Sequence, residues 1–304
     1  MKIKYVLASV SVVFLSAVAW KIWHIKPEVL VYPNNATFAV LSGWENANLK
    51  PSLLAFKNSC QLFLKQNPEQ NVGNKHFSLK AKDWQPACAA AMSVNTYSKY
   101  SIRKFFQTWF KPVTVNGKNA STGTFTGYYA ATIAGSRNKT ANYTIPLSSH
   151  TKPGAVIAWV GATKDRSTLV MEGSAIIQFD NGSHMAIEYV KGNGSNPSFQ
   201  ETDDQQFHGA QDVALTPGYS MAVDRQWIPL GTPLWLNTEV TQDFSKKSQP
   251  FNRLMIAQDI GNAIRGAVRG DMYWGPGSKA TKIANNIKNQ GSYWLLLPKT
   301  VNIQ

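Results

Sequence analysis

Cysteine is nearly absent from this chain: Cys60 and Cys88 are the only two among 304 residues. They form no CxxC pair and have no histidine at metal-ligand spacing, which excludes a zinc ribbon or a thioredoxin-type redox motif. The five histidines, at 24, 76, 150, 184 and 208, show no paired spacing, and Asp203-Asp204 reads as an exposed acidic pair. No metal or other cofactor is expected. Negative charge is also short, with 17 Asp and Glu against 31 Lys and Arg and a formal net charge of +14. Such an excess suits a polyanionic neighbour: nucleic acid, an anionic membrane surface, or an anionic polymer such as a bacterial wall. The basic residues are scattered rather than clustered, and no zinc-finger or RNA-recognition signature occurs, so nucleic acid is not an expected partner. There is no internal repeat and no low-complexity tract.

What the chain does have is apolar and aromatic. Hydrophobic residues make up 43% and aromatic residues 12%, with ten Trp, enough for a substantial core. β-Branched and aromatic segments separated by Gly, Pro and Asn favour a mainly β protein. Lys2 and Lys4 precede an apolar run from Tyr5 to Trp20, and Ala17-Val18-Ala19 fits the small-x-small cleavage rule. Residues 1–24 therefore read as a signal peptide or an uncleaved signal anchor, the latter associating the protein with a membrane. The leading lysines keep the N-terminus cytoplasmic and send the body outward. No cysteine follows the run, so no lipobox is present for a lipid anchor there. In an exported protein, a Cys60–Cys88 disulfide is the favoured state of the two thiols.

Helical spacing marks Pro51–Lys65, Ala87–Met92 and Ser98–Phe110. From Val113 the pattern turns to β. Gly123–Tyr129 reads as a strand, Ala131–Tyr143 as a long polar loop, and Ala155–Val160, Ser174–Phe179 and Met185–Val190 as strands. Asp180-Asn181-Gly182 is a hairpin turn signal between the last two. Ser195–Gln211 reads as a polar loop, Leu215–Leu236 as short strands with sharp Pro and Gly corners, Thr281–Gln290 as a short helix and Ser292–Leu297 as a closing strand.

The stretch from Leu254 to Gly277 carries the chemistry. Leu254–Ala257 reads as a short buried strand that delivers Gln258 and Asp259 to its end. Gly261, Gly266 and Gly270 lead to Asp271, with Tyr273 and Trp274 beside it. Taken locally, both acids are more easily read as turn residues. Their alternative is glycoside chemistry, which needs an acid that protonates the leaving oxygen, often with its pKa raised by apolar surroundings. A hydrolase usually adds a second carboxylate, and Asp259 would supply it. Spacing fixes no distance between them, so one-acid and two-acid mechanisms both stay open. Gly218-Tyr219-Ser220-Met221-Ala222 imitates a nucleophile elbow, but Pro217, Pro229 and Pro233 forbid the helix that motif demands.

Four blocks resemble the MltA family, the membrane-bound lytic murein transglycosylases A of Gram-negative bacteria. They are Phe125–Tyr129; Glu172-Gly173-Ser174 with Lys191-Gly192-Asn193-Gly194; Leu215–Arg225 with Ile228–Pro233; and Ala257-Gln258-Asp259 through Ile264-Arg265-Gly266 to Asp271 and Trp274-Gly275. Ser59-Cys60 and Ala87-Cys88 match the family's paired cysteine positions. The resemblance implies a double-psi β-barrel from residues 25–129 and 210–304, with helices on its N-terminal side. Residues 130–209 form an inserted smaller β-domain, and a glycan groove runs between the two. It implies a lytic transglycosylase that cleaves the β-1,4 bond between N-acetylmuramic acid and N-acetylglucosamine and leaves 1,6-anhydromuramoyl ends. The catalytic acid falls on Asp271, and Asp259 orients the site or binds sugar. Thr126, Tyr128, Asn193, Gly194, Ser220, Gln258 and Trp274 are the expected substrate contacts. Peptidoglycan is the implied partner, alongside other cell-wall enzymes, and the periplasm the implied compartment. Ala130 departs from the family, where an acid or polar residue followed by Pro is common, and the lipid-bearing cysteine is missing. Two rival readings remain: a non-catalytic glycan-binding double-psi barrel, and a muramoyl hydrolase that uses both acids.

Overall fold

The computed structural model describes residues 37–114, 122–190, 197–203, 206–240 and 248–301. The N-terminal apolar segment and the Asn193-Gly194 pair lie outside the described residues. Among those described, no helix is long and apolar enough to cross a membrane.

Three helices lead. They are α1 (Lys50–Lys65), α2 (Ala81–Met92) and α3 (Lys99–Trp109). In α1, Leu53, Phe56, Cys60 and Phe63 recur at helical spacing and are buried, while Pro51 sits in the first turn, where its missing N–H has no intrahelical partner anyway. α2 begins six residues before the expected Ala87. The Asp83 carboxylate accepts from the backbone N–H of Lys80 at 2.7 Å, which starts the helix ahead of Pro86 and buries Trp84. Cys60 and Cys88 are joined, linking α1 to α2.

The remaining elements are β1 (Phe110–Thr114), β2 (Gly123–Ser136), β3 (Ile145–Ser149), β4 (Val156–Val160), α4 (Thr163–Glu172), β5 (Ser174–Phe179), β6 (His184–Val190), β7 (Ser198–Thr202), β8 (Ser220–Val223), β9 (Pro233–Val240), β10 (Gln249–Asp259), β11 (Gly270–Pro276), α5 (Ser278–Asn285) and β12 (Lys288–Pro298). The protein is mainly β, and its pairings close into two rings. One runs β2–β11–β8–β10–β9–β12 and returns to β2, with β1 flanking β12; this is the double-psi barrel. The other runs β2–β5–β6–β7–β3–β4 and also returns to β2. Strand β2 is common to both. Its first half pairs with β11 and β12, and residues 131–136 pair with β5 and β4.

Several boundaries differ from the sequence expectation. The polar loop expected from Ala131 is strand as far as Ser136, with Ala131, Ile133 and Gly135 buried and Thr132 and Ala134 exposed. That alternation is carried by Ala and Gly, which leave little apolar pattern to read. Within the loop expected over 195–211, Phe199 is buried in β7. The last helix is α5, ending at Asn285, and β12 starts already at Lys288. β10 is eleven residues long, more than twice the apolar run that announced it. Asp271 is a strand residue rather than a turn residue, since β11 is hydrogen-bonded on both sides, to β8 and to β2.

Each ring has its own apolar interior. Leu147, Ile177, Ile187 and Phe199 fill the second barrel. The double-psi barrel shares its core with the helices, through contacts such as the Trp44 and Trp235 rings at 5.1 Å. A third small cluster, Ala130, Ala186, Phe207, Leu215 and Tyr273, joins the barrels, with Tyr128 packed against it.

Candidate active site

The carboxylates sit where the two rings meet. β11 runs parallel to β2 with Asp271 opposite Thr126 and Tyr273 opposite Tyr128. Residues two apart on a strand share a face, so these four side chains share one face of the sheet. The Thr126 hydroxyl donates to Asp271 Oδ1 at 2.6 Å, and Arg269 Nη2 donates to the Thr126 oxygen at 2.8 Å. Arg269 is itself held by the carbonyls of Thr124, at 3.0 Å, and Gly270. Burial pushes the Asp271 pKa above its ordinary value, opposed by the Thr126 hydrogen bond and the Arg269 charge. The residue remains partly exposed. A buried-edge carboxyl of this kind favours its protonated form while still reaching a ligand.

Asp259 ends β10, whose register with β8 shifts between Ala257 and Asp259. The bulge turns the carboxylate into a nest of donors. Tyr128 Oη donates to Oδ2 at 2.7 Å, and the N–H groups of Ala210 and Ile260 donate to Oδ1 at 2.9 and 2.8 Å. Burial raises the Asp259 pKa, these three bonds lower it, and the nearby Asp271 raises it. The Tyr128 phenol is pushed well up by burial and by the Asp259 charge, so it stays a donor.

A third acid approaches from the other barrel. Glu172, the last residue of α4, accepts from the backbone N–H of Tyr129 at 3.2 Å. Burial raises its pKa, and the Asp271 charge pushes in the same direction. Among the described residues no group of three or more His, Cys, Asp or Glu is arranged to hold a metal ion.

Beneath Asp259 lies a buried amide–hydroxyl network. Ser220 Oγ donates to Gln258 Oε1 at 2.6 Å; Gln258 Nε2 donates to Ala55 O and Ser59 Oγ, both at 2.9 Å; Ser59 Oγ donates to Gln211 Oε1 at 2.7 Å. Each of these groups is satisfied internally, as buried polar atoms must be.

A sequence family described as the 3D domain matches residues 219–297, the segment that carries β8 to β12. The membrane-bound lytic murein transglycosylase A of Escherichia coli K12 is 36% identical over 105 residues, 33% of this chain and 28% of that protein. The aligned part thus spans under a third of that relative's length. The lytic transglycosylase LtgG of Burkholderia pseudomallei superposes with a TM-score of 0.63 at 26% identity, covering 90% of this chain and 98% of that one. MltA from Neisseria gonorrhoeae gives a TM-score of 0.71 at 19% identity over 91% and 97% of the two chains. The E. coli protein, solved with bound chitohexaose, gives 0.52 at 20% identity over 89% and 92%. The chain is thus similar to the MltA lytic transglycosylases in sequence over a third of its length and in fold over about nine-tenths of it.

Against the MltA resemblance, the expected contacts divide. Asp271, Asp259, Thr126 and Tyr128 are brought together, but the two hydroxyls are spent on the carboxylates. Ser220 and Gln258, expected to meet sugar hydroxyls, are fully buried and bond to one another and to α1. Their amide and hydroxyl groups satisfy a strand end beneath the site. Trp274 faces away from Asp271, its indole over Gly127 and 6.2 Å from the Phe251 ring, so it packs on the opposite face of β11. Asn193 and Gly194 are outside the described residues. Sequence reasoning missed Arg269, although it stands two residues before Asp271. Glu172 was quoted in a family block without a role. The Ala210 N–H carries no side-chain signal at all.

Proposed function

We propose that this protein is a lytic transglycosylase acting on peptidoglycan, with Asp271 as acid and then base. The observation that carries the proposal is the partly exposed Asp271 carboxyl, its pKa raised by burial and only its Oδ1 held by a side chain, that of Thr126, at the junction of two barrels. In the first step Asp271 gives its proton to the glycosidic oxygen between N-acetylmuramic acid and N-acetylglucosamine as the C1–O bond breaks. The resulting carboxylate faces a cationic C1. It then takes the proton of the muramoyl C6 hydroxyl as that oxygen bonds to C1, forming the 1,6-anhydro ring. Asp271 ends as it began, protonated, and no water is consumed.

Asp259 fits a supporting role. Its two oxygens already accept three hydrogen bonds, which leaves it poorly placed to attack C1 or activate water. That favours one acid over the two-carboxylate hydrolase. A binding module without catalysis has no need of a carboxyl whose pKa is raised by burial. The names of the relatives, and the chitohexaose bound to the E. coli protein, support a glycan in the groove.

On this reading the barrel of residues 25–129 and 210–304 is the catalytic domain, and 130–209 supplies the facing wall. The enzyme works in the Gram-negative periplasm, soluble or held by residues 1–24, alongside other wall enzymes; N-terminal sequencing of the mature protein tells the two forms apart. The test of activity is to incubate the purified protein with insoluble murein and weigh the soluble products. Anhydromuramoyl ends, one water lighter than reducing ends, are expected. Products carrying the full water mass would support the hydrolase instead, and no release would support binding alone.

A further inference from the structure

Away from Asp271, a pocket of about 670 Å³ lies between the end of α1, the segment after it, Gln211 and the β8–β9 connection. Its volume is that of a small-ligand site. Two cations line it, Lys75 and Arg225, and no carboxylate does. Neither cation has a carboxylate partner among the described residues. The rest of the wall is rich in amides, and the Gln66 Oε1 atom is buried with no donor to meet it. Leu62 and Phe63 make an apolar floor. Phe63 is stacked on Trp84, with centroids 5.3 Å apart, so its ring face is already committed and does not serve a sugar.

Two backbone segments connect the pocket to the site. Gln211 follows Ala210, whose N–H holds Asp259, and Arg225 follows Asp224, whose carboxylate accepts from Gly266 N at 2.8 Å on the way to Asp271. β8 ends at Val223, two residues before Arg225, and there it pairs with Gly270, the residue before Asp271. We propose that this pocket binds a short anionic peptide, the stem peptide carried by the wall glycan, and that it thereby selects peptide-bearing strands. Cations suit its carboxylates, amides its backbone, and the apolar floor small aliphatic side chains. For the choice of polymer, the inference rests on the proposed function.

The test compares murein strands bearing stem peptides with strands stripped of them by an amidase, using wild type and the double variant Lys75→Gln/Arg225→Gln. Both positions are exposed, so the fold tolerates the change. Wild type is expected to favour peptide-bearing strands in kcat/KM by about tenfold, the scale of a charge-assisted pair, and the double variant to lose that preference without slowing on stripped strands. Equal wild-type rates on both substrates overturn the inference, as does a preference that survives the double variant. Calorimetric titration of the amidase-released peptides reads binding without turnover. Wild-type binding that the variant loses supports the pocket even if no anhydro product ever forms, and absence of binding to wild type overturns it.

Discussion

The ionised form of Asp271 works against the fold, because burial penalises its charge. Its pKa lies above the ordinary 3.8 because burial outweighs the help of Thr126 and Arg269. A group raised in this way stabilises the folded chain below its unfolded pKa, and the contribution is lost as pH rises through the folded value. Asp271→Asn keeps an acceptor for Thr126 and removes the charge. Release of anhydro products is expected to fall by about a thousandfold, the middle of the range for a general acid. Calorimetry at pH 7 is expected to give a Tm at or above that of wild type, with the difference closing as pH falls below 3.8. A clear loss of Tm at pH 7 would mean that the ionised carboxylate is supported by its neighbours after all. At this scale the sequence identified the acids and their tyrosine and threonine companions. It did not show that the two hydroxyls bond to the acids, because Thr126 and Tyr128 meet them across sequence separations of 145 and 131 residues.

At the scale of elements, α1 is more than a lid on the core. Through Ser59 and the Ala55 carbonyl it holds Gln258, and through Ser59 it holds Gln211, so one helix braces both the end of β10 and the loop that presents Ala210 to Asp259. Ser59→Ala removes the donor to Gln211 inside a buried network. Stability measured by denaturant titration is expected to drop by about 1–3 kcal/mol with the slope unchanged. A change within a few tenths of a kcal/mol would show that water or a rotamer change replaces the bond. The disulfide anchors the same helix to α2 across a sequence separation of 28, next to Ser59. The helical stripe of α1 was readable from its apolar spacing. The polar side chains on its buried side were not, because a serine beside a cysteine gives no hint of a glutamine 199 residues on.

For the whole molecule, the decisive strand is β2. It is 14 residues long and belongs to both closed rings, so neither ring can open fully without freeing a wall of the other. The joint is sealed by Ala130, Tyr273, Phe207 and Leu215. Scanning calorimetry of the intact protein is therefore expected to show one cooperative transition; two separated transitions would mean that the barrels unfold independently. Ala130 departs from the family pattern where β2 passes from one ring to the other, and there it is fully buried. A small residue suits that crowded joint better than the acid or polar group expected at such a position.

Scarcity of cysteine, the mainly β character, the Asp180–Gly182 hairpin and the two acids of the 254–277 stretch were all legible in local composition and spacing. Those features depend on neighbours within a few residues, which a linear sequence displays. The extension of β2 past Tyr129, the pairing of Asp271 with Thr126, the burial of Gln258 and Ser220 and the approach of Glu172 were not. Each is created when a strand closes a ring or a helix packs on it, and each joins side chains whose separation in the chain carries no local pattern. The acids could be found in sequence. Which is held through one oxygen, and which through both, follows from the closure of two barrels on one shared strand.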